Sequence, residues 1–143
     1  MGFSLEIHSD AWSTDKLDWL GTRLGTDQAR SITVDITTFT VDHYPNGFIP
    51  SGTVLAKRTS DGLYVPYDDA SLVAGFNVAV GHLLTPVKVK DPKGTTFAKA
   101  SGALYWMGIV IAAKLPNFIN TANLKGELDA NARTDLQNFI RYE

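Results

Sequence analysis

The 143-residue sequence predicts a mainly β fold, a small barrel or sandwich with an extended N-terminal arm and one short C-terminal helix. Apolar and polar residues alternate over several short segments, which is typical of strands that bury one face. Glycine, proline, asparagine and aspartate separate these segments at short intervals. No long helical patterns alternate with the strands, so the sequence favours an all-β architecture over an α/β one.

The composition is typical of a globular protein with one domain and appendages. The formal net charge is −2 and the pI is about 5.9, so no basic face is predicted and nucleic acid is not an expected partner. The chain has no cysteine, which excludes disulfides and thiolate chemistry. Its longest apolar run, at residues 107–113, is too short to span a bilayer, so no membrane partner is predicted.

Residues 1–30 are interpreted as an N-terminal arm. Phe3, Leu5 and Ile7 alternate with polar neighbours, which is the pattern of a strand with one buried face. A linker-like composition around residues 21–27 separates this segment from the first strand of the domain. The arm is therefore expected to be extended near its beginning.

Trp12, Trp19 and Leu20 add large apolar side chains to this polar arm. Residues 15–20 are compatible with one turn of helix that carries Leu17 and Leu20 on the same side. Tryptophan is costly to leave in water and contributes a large buried area on contact. Two interpretations stay open, because these side chains can fold back onto the chain's own core or dock on another subunit.

A β-rich domain is predicted at residues 31–143. Its strands are expected, in chain order, at about residues 32–36, 53–58, 63–67, 78–84, 87–89, 103–113 and 138–142. Leu128, Ala132 and Leu136 recur every four residues, which predicts a short amphipathic helix at about residues 127–136.

A turn-rich segment precedes the second predicted strand. Its rim and turn residues are Tyr44, Pro45, Asn46, Gly47, Phe48, Pro50 and Gly52. Asparagine and glycine accept positive φ angles, and proline fixes φ for a turn, so these residues indicate architecture and not catalysis. The Ser60-Asp61-Gly62 sequence that follows predicts a tight hairpin.

No catalytic residue, metal or cofactor is predicted, and the chain is not expected to be an enzyme. His8, His43 and His82 lack the spacing of a zinc site. Asp68 and Asp69 are adjacent, so they point in different directions and do not form a catalytic carboxylate pair. Nucleophile-elbow and phosphate-binding glycine motifs are also absent from the sequence.

The aromatic residues leave one binding hypothesis open. A stacking platform for sugar or single-stranded nucleic acid is conceivable from Tyr44, Phe48, Tyr64, Tyr67, Tyr105 and Trp106. Aromatic residues on strands are more often part of a core, and this interpretation is preferred.

In this order, several segments resemble the head decoration proteins of tailed phages, the lambda-type family. The matching segments are residues 46–55 (NGFIPSGTVL), 61–67 (DGLYVPY), 78–84 (VAVGHLL), 103–116, 128–136 and 140–142. The resemblance implies a decoration-protein-like β domain that assembles as a homotrimer. Such trimers sit at local three-fold positions on the outer capsid surface, bind the major capsid protein and stabilise the shell.

The resemblance also implies a role for the arm, because the family's N-terminal arm adds to strands of the capsid protein. The capsid-binding residues would then be Phe3, Leu5, Ile7, Trp12, Trp19 and Leu20. Removal of residues 2–20 is expected to abolish docking and to leave the β domain folded. The protein would be made in the host cytoplasm and end in the virion.

Two other interpretations are retained. Residues 49–57 also look like the start of a SAF-type β-clip module, although that module explains neither residues 64–67 nor the tail. A carbohydrate-binding or receptor-binding β domain is the third, and such a module does not need a tryptophan-bearing arm.

Overall fold

The computed structural model describes residues 17–44, 46–116 and 126–143. Its strands are β1 (Arg30–Asp35), β2 (Phe48–Ile49), β3 (Val54–Lys57), β4 (Tyr64–Pro66), β5 (Ala79–Leu83), β6 (Val87–Lys88), β7 (Lys99–Tyr105), β8 (Gly108–Val110) and β9 (Ile140–Tyr142). Helix α1 (Ala130–Leu136) lies between β8 and β9 in the chain. The sequence-predicted residues that lie outside the described ranges are Phe3, Leu5, Ile7, Trp12 and Pro45.

Five strands pair in a closed barrel, in the order β1, β4, β3, β5 and β7. β1 pairs with antiparallel β7 over its full length and with parallel β4 near its end. The pairing of β3 with β5 shifts register between Leu55 and Ala56, and such a bulge bends a strand and increases its twist. The predicted mainly β character and the short C-terminal helix are confirmed.

Two smaller sheets flank the barrel. β2 and β6 form an antiparallel pair in which Phe48 lies opposite Lys88. β8 and β9 form a parallel pair, and Leu20 bridges Val110 of β8 in antiparallel orientation. The first described residues therefore add to a sheet that also contains the end of the chain.

The apolar side chains form two clusters, and alternate residues of β3 divide between them. The α1 core includes Val54 and Ala56 of β3 together with Trp19, Tyr105 and Leu136. The β2–β6 core includes Leu55 of β3 and the buried residues Val34, Ile49, Leu83, Val87, Val89 and Leu104. Because successive side chains of a strand point to opposite faces, β3 separates the two clusters.

Helix α1 begins at Ala130, later than the predicted residue 127. The carboxylate of Asp129 accepts a hydrogen bond from the backbone N–H of Ala132 at 2.7 Å, which caps the helix at that point. Ala132 and Leu136 are buried, as the four-residue spacing predicts. The amphipathic pattern thus predicted the helix, and the Asp129 cap determines where the helix begins.

The continuous strand predicted at residues 103–113 is wrong. The segment contains the end of β7 and all of β8, which pair in different sheets. Gly108 has a φ of 137°, and a Cβ at this position would overlap the hydroxyl of Tyr105. This close approach, which only glycine permits, ends one strand and redirects the next.

Residues 17–29, which the sequence assigns to the arm and its linker, are packed against the β domain. Trp19 belongs to the α1 core, and the hydroxyl of Tyr105 donates a hydrogen bond to the carbonyl of Leu24 at 2.8 Å. The indole N–H of Trp106 donates to the carbonyl of Gln28 at 2.7 Å. The linker-like composition therefore belongs to an ordered segment held by tyrosine and tryptophan.

Candidate functional site

The candidate site is the point where the N-terminal segment enters the fold, and Trp19 is its centre. The side chain of Trp19 is 1% exposed. Its indole N–H donates a hydrogen bond to Oγ of Ser51 at 2.9 Å. Its ring meets the ring of Tyr105 edge-on at a centroid distance of 5.4 Å. We call Trp19 and these contacts the Trp19 anchor.

Backbone hydrogen bonds fix the same segment to β8. The N–H of Gly21 donates to the carbonyl of Ile109 at 2.9 Å, and the N–H of Ile111 donates to the carbonyl of Trp19 at 2.7 Å. A Cβ at Gly21 would lie 2.6 Å from Cγ2 of Ile109, so a larger residue would push the segment away from β8. Side-chain and backbone contacts therefore hold residues 19–21 in one place.

A buried histidine lies next to the Trp19 anchor. His82 of β5 is fully buried, and its ring centroid lies 5.6 Å from that of Trp19. Nδ1 lies 2.9 Å from the carbonyl oxygen of Gly52, and Nε2 lies 2.7 Å from the hydroxyl of Tyr142. A carbonyl only accepts hydrogen bonds, so Nδ1 carries the proton and Nε2 accepts from Tyr142.

Burial determines the ionisation of this pair. Loss of solvation lowers the pKa of His82 to about 4, and the hydrogen bond to Gly52 offsets only part of that effect. Burial also raises the pKa of Tyr142. Both groups are therefore neutral near pH 7, and together they join β5, β9 and the turn at Gly52.

The turn motif 44–52 divides between the two cores. In its first half, the N–H of Gly47 donates to the carbonyl of Tyr44, and Phe48 pairs with β6. In its second half, Oγ of Ser51 donates to the carbonyl of Leu84 at 2.7 Å and accepts from Trp19. The first half of the motif thus packs on the β2–β6 core, and the second half supports the Trp19 anchor.

Gly52 is needed at its position in the second half of the motif. Its φ is 93°, and a Cβ there would lie 3.0 Å from Cδ of Pro116 and 3.2 Å from Cδ1 of Trp19. Pro50 is also part of this turn, since its carbonyl accepts a hydrogen bond from the hydroxyl of Thr53 at 2.7 Å. The sequence identified this motif as a turn but gave no signal that it contacts Trp19.

The structure places the predicted arm residues in two groups. Trp19 is in the core, and half-buried Leu20 packs against the same core. For these two side chains the interpretation of folding back onto the chain's own core is the one observed. The other four predicted arm residues lie outside the described part of the chain.

The six aromatic residues do not form one exposed platform. Tyr67 and Tyr105 are buried in the α1 core. Tyr44, Tyr64 and Trp106 are partly buried against the β2–β6 core, and Phe48 of β2 is half-buried. The core interpretation of these rings is therefore the one that fits the structure.

The other candidate groups have structural partners. Nδ1 of buried His43 accepts a hydrogen bond from the N–H of Thr40 at 3.1 Å. Asp68 is buried and Asp69 is exposed, where it accepts from the amide of Asn131 at 2.6 Å. Across residues 17–44, 46–116 and 126–143, no group of three or more His, Asp or Glu side chains could hold a metal ion.

Buried polar atoms in the described part of the chain are satisfied. Every buried side-chain nitrogen or oxygen described there has a hydrogen-bond partner. No described helix is long and apolar enough to cross a membrane. The polar groups around Trp19 and His82 are therefore paired with one another or with backbone carbonyls.

Comparisons with protein-family models, with curated proteins and with solved structures gave no match to this chain.

Proposed function

We propose that the chain is a non-enzymatic decoration protein, which binds the outside of a phage capsid as a homotrimer and stabilises the shell. The β domain would sit at local three-fold positions, and the residues before Leu17 would contact the major capsid protein. The observation that carries this proposal is the Trp19 anchor, together with the sequence resemblance. The anchor gives the preceding residues a fixed starting point on the domain.

A fixed starting point matters for a clamp. An extended arm can add a strand to a neighbouring sheet, with backbone hydrogen bonds supplying affinity and alternate side chains supplying specificity. Phe3, Leu5 and Ile7 have that alternation. Load on the arm would be transmitted through Trp19 to the α1 core, since Trp19 is bonded to Ser51 and flanked by β8.

A trimer would strengthen the hold of such a clamp on the capsid. Three modest arm contacts on one particle gain avidity, because after the first arm binds, the others bind intramolecularly. A cyclic trimer needs a heterologous interface that closes after three copies. The decoration-protein-like version of the β fold belongs to this proposal.

The alternatives receive less support from the described residues. A glycan platform would need aromatic faces together at the surface, whereas Tyr67 and Tyr105 are buried. A SAF-type β-clip would assign residues 49–57 to its own start, whereas Ser51 and Gly52 here serve the Trp19 anchor.

The test is a truncation that ends before the anchor. Removal of residues 2–16 should leave the melting temperature within a few degrees and abolish co-sedimentation with heads of the encoding phage that were prepared without this protein. Retained co-sedimentation of this truncated, folded protein would exclude the arm as the docking element. If the full-length chain also fails to bind the heads, the decoration function itself is refuted.

A matched pair of variants isolates side-chain specificity. Replacing Phe3, Leu5 and Ile7 with alanine should weaken binding to the same heads about tenfold or more, because alternate apolar side chains fill pockets in strand addition. Replacing Ser4, Glu6 and His8 with alanine, on the opposite face of a strand, should change it much less. Equal losses for the two variants would contradict insertion of one strand face.

A further inference from the structure

The β-hairpin that joins β6 to β7 has a charge opposite to that of the rest of the chain. Residues 87–99 contain four lysines and one aspartate, which gives a formal charge of +3. The whole chain has −2, so the remaining residues have −5. The net charge of the whole chain does not reveal this separation, because the +3 of the hairpin offsets part of the −5 of the other residues.

The hairpin directs its lysines outward. Val87 and Val89 are buried, whereas Lys88 and Lys90 are exposed on the opposite face. A bridge between Lys90 and Thr96 closes the hairpin. The alternation follows from strand geometry, and it anchors the hairpin in the β2–β6 core while its cations face solvent.

These lysines have no ion pair among the described residues. The single carboxylate of the hairpin, that of Asp91, accepts hydrogen bonds from the N–H groups of Lys93 and Thr95, both at 2.9 Å. It is therefore used to close its own turn. The ion pairs found in the described ranges join Arg58 to Asp35 and Asp61. The basic hairpin thus has four exposed lysines, Lys88, Lys90, Lys93 and Lys99.

A surface of opposite charge surrounds α1. We call it the acidic face and define it by Asp69, Asp129 and Asp135. Neutral donors contact these carboxylates, namely the amide of Asn131, the hydroxyl of Tyr67 and the backbone N–H of Ala79. Neutral partners leave the negative charge in place. The guanidinium of Arg133 in α1 lies over the ring of Tyr142 at 5.5 Å, and no ion pair to these three carboxylates is found among the described residues.

The two charged surfaces belong to different parts of the fold. The acidic face covers the α1 core, and the basic hairpin covers the β2–β6 core. No ion pair joins the two surfaces within the described part of one copy. A heterologous interface that closes a ring needs two different surfaces on each copy, and the two surfaces must complement each other.

We propose that the basic hairpin of one copy binds the acidic face of the next copy, and that three such contacts close the trimer. This inference rests on the proposed function, since it names the interface of the proposed trimer. Exposed ion pairs contribute roughly 0–1 kcal/mol each, so they set orientation and register more than affinity. Phe97 of the hairpin, which is 40% exposed, adds apolar area to the contact.

The experiment reverses the charge of each surface in a separate variant. The hairpin variant is Lys88→Glu, Lys90→Glu and Lys93→Glu. The face variant is Asp69→Lys, Asn131→Lys and Thr134→Lys, which leaves the helix cap at Asp129 intact. Lys114→Glu, outside both surfaces, is the matched control. Light scattering over a dilution series gives the concentration of half-dissociation, and circular dichroism melting gives the folded state.

Each single-surface variant should raise the concentration of half-dissociation by about tenfold or more, and the control should not. The two reversals combined in one chain should restore the trimer, because hairpin and face again have opposite charges. Mixing the two variant proteins should restore it less well, since a ring of three cannot alternate two types of copy. Higher salt should weaken the wild-type trimer.

The outcomes separate this inference from the function on which it rests. A wild-type trimer that survives both reversals overturns the charged interface and leaves the decoration function standing. A wild-type monomer at high micromolar concentration refutes the proposed trimer as well. If the hairpin variant does not fold, neutral Lys→Gln substitutions at the same three positions replace it, and an unchanged dilution curve for them overturns the inference.

Discussion

The imidazole of His82 is neutral because its surroundings exclude water and offer no counter-charge. Its described neighbours are the indole of Trp19, the hydroxyl of Tyr142 and the carbonyl of Gly52. Of these, only the carbonyl favours the protonated ring. The guanidinium of Arg133 contacts the ring of Tyr142 at 5.5 Å and has no described contact with His82.

The first prediction at this scale concerns pH. The pKa of His82 is about 4 in the folded protein and 6.5 in an exposed histidine, so the unfolded chain binds more protons between these values. The free energy of unfolding should therefore fall as the pH decreases from about 6.5 to about 4, by on the order of 3 kcal/mol. Urea unfolding at several pH values measures this slope.

The control is His82→Gln, which removes the titrating group. The difference in unfolding free energy between wild type and His82→Gln should change over this pH window, because contributions from other groups cancel. A difference that is constant from pH 4 to pH 6.5 would contradict the assignment of the slope to His82.

The second prediction compares two tryptophans. Trp19→Ala should reduce the free energy of unfolding by about 3–5 kcal/mol, because it removes a buried ring and leaves a cavity beside Tyr105. Trp106→Ala is the matched control, and it should cost clearly less because Trp106 is only partly buried. Similar losses for the two variants, measured by chemical denaturation, would mean that Trp19 is not an anchor.

The elements show which parts of the fold the sequence could predict. Alternation predicted β1, in which Ile32 and Val34 are buried at every second position, whereas β3 is apolar on both faces and was predicted from its flanking turns. It did not predict the break between β7 and β8, because both segments are apolar and the close approach of Gly108 to Tyr105 and Leu24 is a tertiary contact. Contacts between distant residues leave no local pattern.

The candidate site was only partly predictable for the same reason. The sequence marked Trp19 as costly to expose, and it marked Ser51 and Gly52 as a turn. It gave no signal that these residues meet, because 32 positions separate Trp19 from Ser51. Likewise, His82 and Tyr142 are 60 positions apart and are joined only by the packing of β9 near β5.

The third prediction concerns the helix cap. Asp129→Ala should reduce the free energy of unfolding by about 1–2 kcal/mol, because it removes the N-cap of α1 and the acceptor for Tyr67. Asp129→Asn keeps an acceptor and a good capping residue, so it should lose much less. Equal melting temperatures for the alanine variant and wild type would contradict the role of the cap.

The fourth prediction concerns where the arm ends. The sequence placed its boundary at residue 30, and removal of residues 2–20 was expected to leave the domain folded. Because Trp19 is in the α1 core, that longer deletion should instead lower the melting temperature strongly, whereas removal of residues 2–16 should not. If the protein that lacks residues 2–20 has the melting temperature of wild type, the Trp19 anchor contributes almost nothing to stability.

At the scale of the whole molecule, each of the two cores lies beneath one of the two charged surfaces. The α1 core includes Trp19 and lies under the acidic face, while the β2–β6 core lies under the first half of the turn motif and the basic hairpin. One chain therefore has a fixed Trp19 anchor and two surfaces of opposite charge. These are the components that a ring-shaped clamp requires, and the proposed function assigns each of them a task.

The central claim is that this molecule is a trimeric clamp on the outside of a capsid, and its location on the particle tests that claim most directly. Electron cryo-microscopy of heads of the encoding phage, with and without this protein, measures it. The account predicts three-lobed difference density at local three-fold positions on the outer surface, with arms that reach capsid strands. No difference density on the shell, or density only on its inner surface, would contradict it.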